Sequence, residues 1–389
     1  MKICACIAEY NPFHLGHLKH IEYIKNTLGA EKLIVVMSGN FTQRGEIAVL
    51  NKFTRAKEAI IAGADMVIEL PTVFATGNAE VFAKGAISII NSLGIVDAIC
   101  FGVESGCREE YVELAKFMND ESKDFKRALK EQLDGGVSLA KAKYVALKQS
   151  NSGCNAELIA SPNNILGLEY TKALLKLNSK IEVYPMLREG DHNDKKLKSK
   201  ITSATSIREA LKQGKKRKIK KNIPSFVYKD LKGYPFGFEM LVLSSVMTSS
   251  ADELKKIADC TEGLENRIKA FSKDNHTLDS LLEKVCTKRY TETRIRRILT
   301  SNLLGITQSL IDECLANKTY AKILAVNSES KELISQLSNK SSIPILTRKS
   351  DVANLKKSAL KCFERDVLAN DLYSLITLDK QNENKMEII

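Results

Sequence analysis

Apolar and polar positions along the first half of the chain alternate in blocks. The apolar run from Ile3 to Ala8 reads as a buried strand, with Lys2–Ala8 as its outer bounds. A segment opening near His14 follows, in which Leu18, Ile21 and Ile24 recur at helical spacing. Lys32–Met37, Met66–Leu70 and Ala98–Phe101 are further short apolar runs. Helical patterns at Lys52–Ala62 and Ala79–Leu93 precede the last two, and Ile181–Pro185 reads as a fifth strand. Strands alternating with helices of about ten or more residues predict an α/β fold with parallel pairing. Ligands in such folds bind at the carboxyl ends of the strands.

The pattern changes after residue 211. Lys212 to Lys221 reads Lys-Gln-Gly-Lys-Lys-Arg-Lys-Ile-Lys-Lys, and Asn222-Ile223-Pro224 follows. This segment marks a domain boundary, with units at 1–215 and 222–389. Beyond it, Phe238–Met247, Leu264–Phe271, Leu278–Cys286, Arg294–Leu304 and Ile306–Leu315 predict a mainly helical unit. Ser342–Leu346 reads as a short buried strand and Asn382–Ile389 as a mobile tail.

Composition bounds the function. A chain of 389 residues that is 44% apolar supports two domains with sizeable cores. No stretch of about 18 apolar residues is present, which argues against a membrane span. Met1-Lys2-Ile3-Cys4 enters the strand pattern directly, without a secretory signal, so a cytoplasmic location is expected. Nine scattered cysteines without a C-x-x-C pair predict buried thiols rather than disulfides or zinc, with Cys4 and Cys6 in the core. Lys and Arg exceed Asp and Glu by 59 to 47, a net charge of +12 that favours a polyanionic partner.

The candidate chemistry starts at Asn11-Pro12-Phe13-His14-Leu15-Gly16-His17, where a strand feeds a helix. Free backbone N–H groups and the helix dipole favour a phosphate there. Pro12 suits the turn, Gly16 permits close packing of a ligand, and imidazoles at i and i+3 share one helical face. Such donors, aimed at charge developing on a phosphoryl oxygen, can each be worth roughly 3–4 kcal/mol of barrier. An isolated H-x-G-H is equally compatible with ordinary histidines at a helix start; its position after the first strand favours function. His20 has no such support and reads as an ordinary helix residue.

A second segment, Ile201-Thr202-Ser203-Ala204-Thr205-Ser206-Ile207-Arg208-Glu209, follows the fifth strand. Ser206-x-x-Glu209 is a capping-box pattern that places a helix start near Ser206. Ser203, Thr205, Ser206 and Arg208 would form an anion pocket, or simply a well-capped helix.

H-x-G-H after the first strand together with this late helix start resembles the superfamily of small adenylyltransferases and class I aminoacyl-tRNA synthetases. The linked segments Glu9-Tyr10-Asn11-Pro12-Phe13-His14-x-Gly16-His17, Met37-Ser38-Gly39-Asn40-Phe41-x-Gln43-Arg44-Gly45-Glu46 and Lys52-Phe53-x-Arg55-Ala56 narrow the likeness. So do Asp65-x-Val67-Ile68-Glu69-Leu70-Pro71, Ser161-Pro162-Asn163-Asn164-Ile165-Leu166-Gly167 and Ser203–Arg208. Glu262-Gly263-Leu264-Glu265-Asn266-Arg267 and Thr287-Lys288-Arg289-Tyr290-Thr291 extend it into the helical half. From residue 1 to about 350 the chain resembles the bacterial tRNA(Met) cytidine acetate ligases.

The resemblance implies a Rossmann-like nucleotidyltransferase domain followed by a mainly helical domain that binds tRNA. It implies activation of acetate by ATP to acetyl-adenylate, then acetylation of N4 of the wobble cytidine of elongator tRNA(Met). ATP would be held by Ile7, Ala8, Glu9, Tyr10, Asn11, Pro12, Phe13, His14, Leu15, Gly16, His17, Leu18, Lys19 and His20. Gly102, Asn163, Asn164, Arg188, Glu189, Ser203, Thr205 and Ser206 would complete the pocket, with His14, His17 and Arg208 catalytic. Read by themselves, Gly102 is a plain loop glycine and Asn163 a helix N-cap. Gln43 and Arg44 would face acetate or phosphate, or form a loop salt bridge. Mg2+ is expected with the triphosphate, although no carboxylate cluster at ligand spacing stands out, and Asp65 and Glu69 are as easily structural. The tRNA would meet Lys215, Lys216, Arg217 and Lys218, which read equally as a linker. It would also meet Lys288, Arg289, Tyr290 and Arg294, where an aromatic beside basic groups could stack on an unpaired base. Two other readings remain: a small-metabolite adenylyltransferase of nicotinate-mononucleotide or phosphopantetheine type, and a non-catalytic, nucleotide-dependent tRNA-binding protein.

Overall fold

Five of the apolar runs form strands of one sheet: β1 (Ile3–Ala8), β2 (Lys32–Ser38), β3 (Met66–Leu70), β4 (Ala98–Val103) and β5 (Glu182–Leu187). In the computed structural model, which describes residues 2–150, 153–188 and 202–389, they lie in the order β5-β4-β1-β2-β3. Every adjacent pair among these five is parallel, as expected. The β1–β2 register runs from Ile3 opposite Lys32 to Ala8 opposite Met37. Strand order reverses at β1, which pairs with β2 on one side and β4 on the other. Open α/β sheets place their ligand crevice at such a switch point.

Alternate residues of each strand feed two cores. Ile3, Ala5, Ile34 and Val36 pack on one face with the helices α3 (Ala79–Leu93) and α4 (Pro162–Lys176). Cys4, Cys6, Leu33 and Val35 pack on the other with α1 (Leu15–Glu22), α2 (Lys52–Ile61) and α5 (Ala204–Lys212). Side chains on both faces are therefore apolar, which is why these strands read as continuous hydrophobic runs. Cys4 and Cys6 are fully buried, and burial pushes both thiols up to about 12.

Beyond the basic segment come the expected helices α6 (Phe238–Thr248), α7 (Leu264–Ser272), α8 (Leu278–Val285), α9 (Glu292–Leu304) and α10 (Gln308–Ala316). Phe238, Leu264, Ile295 and Leu299 join the same apolar core as Val73 and Phe74. A strand that the pattern did not reveal follows. β6 (Ala321–Val326) pairs antiparallel with β3. β7 (Ile345–Leu346) lies where a short strand was expected, and β7 and β8 (Glu387–Ile388) both run parallel to β6. The helix α11 (Lys357–Thr377) lies between β7 and β8 in sequence. The tail expected to be mobile is instead docked: Ile389 N–H donates to Val326 O at 3.0 Å, and Glu383 reaches two buried lysines. Its ordering follows from the carboxylate those lysines require.

Candidate active site

The loop from β1 to α1 is built around a capping box made of imidazoles. His14 is the N-cap of α1, in extended conformation (φ −138°), and its Nδ1 accepts Gly16 N–H at 3.0 Å. His17 Nδ1 in turn accepts His14 N–H at 3.2 Å. With both Nδ1 atoms accepting, the proton of each neutral ring is assigned to Nε2. The rings stack with centroids 3.7 Å apart and planes 21° apart, and Tyr10 packs edge-on to His17 at 4.9 Å. Burial holds the His17 imidazole well below the usual histidine range, and His14, Arg188 and His20 push the same way. Burial and then Arg188 lower His20 to about 4. Both His17 and His20 are therefore neutral near pH 7, His17 with its proton on Nε2. His20, read as an ordinary helix residue, lines the cavity with its Nε2 3.3 Å from Cys100 Sγ.

Asn11 is the hinge of the site. Its Oδ1 accepts Val49 N–H at 2.9 Å and its carbonyl accepts Arg208 Nη1 at 3.0 Å. Its Nδ2 is a buried donor without an acceptor among the described residues. Such a donor favours an incoming acceptor, because an unmade buried hydrogen bond costs about 1–3 kcal/mol. Tyr10, just before it, is held at φ +49°, in the sparsely populated left-handed region.

Across the cavity, α5 is capped by Ser203, three residues earlier than expected. Ser203 Oγ accepts Ser206 N–H at 3.2 Å and lies 3.0 Å from Ser206 Oγ. Arg208 pairs with Glu46 at 2.9 Å, so it locks the helix start, the 43–46 loop and the Asn11 carbonyl together. Glu9 stands between these cations. Burial raises its carboxyl, while Gln43 N–H (2.7 Å), Arg208 and Arg44 oppose that rise.

These groups enclose a cavity of about 240 Å³. Ile7, Ala8, Glu9, Tyr10, Asn11, His14, Gly16, His17, Lys19, His20, Gly102, Asn163, Arg188, Ser203, Thr205 and Arg208 line it, with Gln43 and Arg44. Other expected nucleotide contacts sit behind the wall. Phe13 is fully buried against Tyr10, and Ser206 and Asn164 are spent on local bonds, Asn164 Oδ1 accepting Glu104 N–H at 2.8 Å. Pro12, Leu15 and Leu18 also lie outside the lining, Leu15 N–H donating to Asn222 O at 3.1 Å. Glu189 lies outside the described residues. Gly102 makes room mainly for Arg188, since a Cβ there would meet its Cγ and Cδ at 3.1 Å. Asn163 is not the cap that its position suggested; Ser161 is, and Asn163 Nδ2 donates to Glu104 Oε1 at 2.5 Å.

Sequence reasoning missed the apolar side of the cavity, which Phe82, Phe101, Leu166, Tyr170 and Met186 supply. It also missed the buried clamp beneath. Arg55 donates to Glu9 O (2.6 Å), Ser38 O (3.0 Å), Leu50 O (2.9 Å) and Gly39 O, so one guanidinium fixes the ends of β1 and β2. Asp65 and Glu69 are structural: Asp65 accepts Leu33 N–H at 2.7 Å and pairs with Lys25 at 2.6 Å. Among the described residues no group of three or more His, Cys, Asp or Glu could hold a metal, and no helix is long and apolar enough to cross a membrane.

The basic helical half reaches the site through Gly45. Thr300 Oγ1 on α9 donates to Gly45 O at 2.9 Å. Gly45 has φ +68°, and a Cβ there would meet the Arg296 carbonyl carbon at 2.4 Å. Around α9, Lys288 and Arg289 are exposed, with Arg289 paired to Glu262 at 2.5 Å. Arg294 donates to Asp259 O at 3.0 Å and Thr261 Oγ1 at 2.8 Å. In the other basic segment Lys215, Arg217 and Lys218 are exposed, whereas Lys216 bonds Leu231 O.

Sheet order, switch point and two polar helix starts facing one cavity are the architecture of a nucleotidyltransferase, and the family described as HIGH Nucleotidyl Transferase matches residues 1–387. The tRNA(Met) cytidine acetate ligase of Acetivibrio thermocellus is 39% identical, over 96% of this chain and 94% of its own. That of Clostridium novyi is 37% identical, over 97% and 96%. Thermotoga maritima TmcAL matches in its crystal structure bound with alpha-thio ATP (form II), with a TM-score of 0.91, and in its apo form, with 0.94. Both are 29% identical and cover 100% of each chain. The chain belongs to the tRNA(Met) cytidine acetate ligase family. The resemblance read from the linked motifs is borne out.

Proposed function

We propose that this protein activates acetate with ATP and passes the acetyl group to N4 of the wobble cytidine of elongator tRNA(Met). An acetate oxygen attacks the α-phosphorus and pyrophosphate leaves, giving acetyl-adenylate. The cytidine amine then attacks the acyl carbon, AMP leaves, and the amine loses its proton to solvent. The observation that carries this reading is one cavity with neutral imidazole donors on one side and the Ser203–Arg208 helix start on the other. Both sides suit phosphate, and adenylate formation needs positioning and charge stabilisation rather than a protein nucleophile. His14 and His17 would donate to the α-phosphate, Asn11 Nδ2 would donate to an oxygen of the ligand, and Arg188 and Arg208 would balance its charge. Mg2+ would arrive with ATP, held by phosphate oxygens and water. Exposed Lys215, Arg217, Lys218 and Lys288 would meet tRNA phosphates.

The test is exchange of labelled pyrophosphate into ATP, followed by nucleoside analysis of tRNA(Met) incubated with enzyme, ATP and acetate. Exchange that depends on acetate, and N4-acetylcytidine in the product, are expected. Exchange that ignores acetate but answers to a nucleotide or pantetheine phosphate would replace this reading with a metabolite adenylyltransferase.

A further inference from the structure

The aromatic expected to meet RNA, Tyr290, has one face covered. The Arg294 guanidinium lies 5.5 Å from its ring centre, and that arginine is engaged by Asp259 and Thr261. A different ring, that of Phe236, is exposed, and a half-buried tyrosine backs it. In the loop Leu231-Lys232-Gly233-Tyr234-Pro235-Phe236-Gly237, Tyr234 and Phe236 meet edge to face, with centroids 5.2 Å apart and planes at 61°. Phe236 is 64% exposed, and Met240, one turn into α6, is 75% exposed. Glycines at φ +143° (Gly233) and +108° (Gly237) turn the chain on either side of the rings.

The surroundings say what this apolar surface meets. Lys212 Nζ stands 6.0 Å from the Tyr234 ring centre and 3.2 Å from Glu239 Oε1. Lys216 braces the loop, bonding Leu231 O and lying over the Tyr228 ring at 4.8 Å. Lys232 within the loop is exposed, as are Lys215, Arg217 and Lys218, the sequence neighbours of the Lys216 that braces it. Tyr234 also lies close enough to the Glu46–Arg208 pair for both charges to act on its hydroxyl, and Arg208 is part of the cavity wall. An exposed ring backed by a second, with exposed Lys232 in the same loop and Lys212 at the second ring, near the Arg208 wall of the cavity, matches single-stranded RNA, which offers base faces and phosphates together. A protein partner of ordinary apolar character would not call for that charge.

We propose that Tyr234 and Phe236 form a stacking platform for an unpaired base of the tRNA anticodon loop, holding the wobble cytidine or its neighbour beside the cavity. This rests on the acetate ligase reading above. The experiment compares Phe236→Ala, Phe236→Leu and Phe236→Trp with the parent protein. Two readouts are taken from each: KM for tRNA in acetylation, and acetate-dependent pyrophosphate exchange without tRNA. Loss of one stack raises KM for tRNA about tenfold in the alanine variant, with any change in exchange far smaller. Tryptophan restores the parent KM and leucine does not, because leucine keeps the apolar bulk without a ring face. The salt dependence of tRNA binding keeps its slope, since no phosphate contact is removed.

An unchanged KM for tRNA in Phe236→Ala overturns the platform. So does full rescue by leucine, or a loss of exchange equal to the loss of acetylation, which would mean the residue acts through the fold. Absence of acetate-dependent exchange in the parent protein is a separate result and overturns the acetate ligase reading itself.

Discussion

Among the described residues, the cations buried behind β3 and those along the cavity wall keep different company. Behind β3, Lys52 Nζ lies 2.7 Å from Glu69 Oε1 and 2.7 Å from Glu383, while Lys322 Nζ lies 3.1 Å from Glu69 and also contacts Glu383. Burial disfavours the Lys52 charge, yet Glu383, Glu69 and Asp366 more than offset it and hold the ammonium above its ordinary range. On the cavity wall the balance falls the other way. Among the described residues, burial pulls Arg188 down with Glu104 opposing, and pulls His17 down with His14, Arg188 and His20 pushing the same way. The same desolvation is thus outweighed by carboxylates in the brace, whereas on the cavity wall it prevails over them at Arg188 and leaves His17 uncharged. The brace ties β3, β6 and the C-terminal tail together, and the cavity wall would take its anion under the function proposed above.

The largest effect expected on either side of this contrast is in the brace. Lys52→Met leaves Glu69 and Glu383 sharing Lys322 in a buried pocket, which should cost about 3–5 kcal/mol of unfolding free energy. Urea titration measures this, and acetate-dependent exchange per folded molecule should persist. A variant as stable as its parent would show that the brace is not structural. On the cavity side, His17→Ala removes a neutral donor and should slow acetate-dependent exchange by about 10²–10³, or roughly 3–4 kcal/mol of barrier. Its unfolding free energy should fall by less than that of Lys52→Met. A large stability loss with little change in exchange would reverse the two assignments.

How far each region could be read from sequence follows from how local it is. β1 to β5, α1 to α3 and the histidine loop carry their own periodicity, and both imidazoles lie within four residues of one another. Ser203 was legible as part of a helix start, though the capping box pointed three residues late because Glu209 matched the pattern better than Ser206 did. The brace was not legible. Lys322 breaks the apolar run of β6, and its partners sit at Glu69, 253 positions earlier, and at Glu383 beyond the last long helix. Only the antiparallel β3–β6 pairing explains a lysine inside a strand. The place of Phe101 and Tyr170 in the cavity wall was hidden for the same reason: their rings meet at 5.7 Å, a contact between β4 and α4 that no spacing rule predicts. Phe236 sits in a loop bounded by glycines, where an aromatic carries no periodic signature.

The smallest effect tests whether the brace is electrically complete. Two lysines there face three carboxyls, Glu69, Glu383 and Asp366, so neutrality requires one acid to keep its proton. Asp366 is the acid that keeps it: burial, then Glu69 and Glu383, raise its carboxyl to about 7 against the opposing pull of Lys52 and Lys322. Its Oδ1 accepts Thr72 N–H at 2.7 Å, and its Oδ2 lies 2.5 Å from the Tyr320 hydroxyl. Between the unfolded value near 4 and the folded value near 7, the folded chain binds one proton more than the unfolded chain. Stability from this group is therefore greatest at low pH and is lost as pH rises through 7. Asp366→Asn keeps the Thr72 bond and can donate to Tyr320, but it does not titrate. The stability of the parent relative to Asp366→Asn should fall by roughly 1 kcal/mol per pH unit between pH 5 and 7 and level off above about 8. His17 and His20, whose values are lowered, add the opposite slope below pH 6.5, but they do so in both proteins and cancel in the difference. A gap that stays constant from pH 5 to 8 would mean that Asp366 is already ionised, leaving the brace with an uncompensated negative charge.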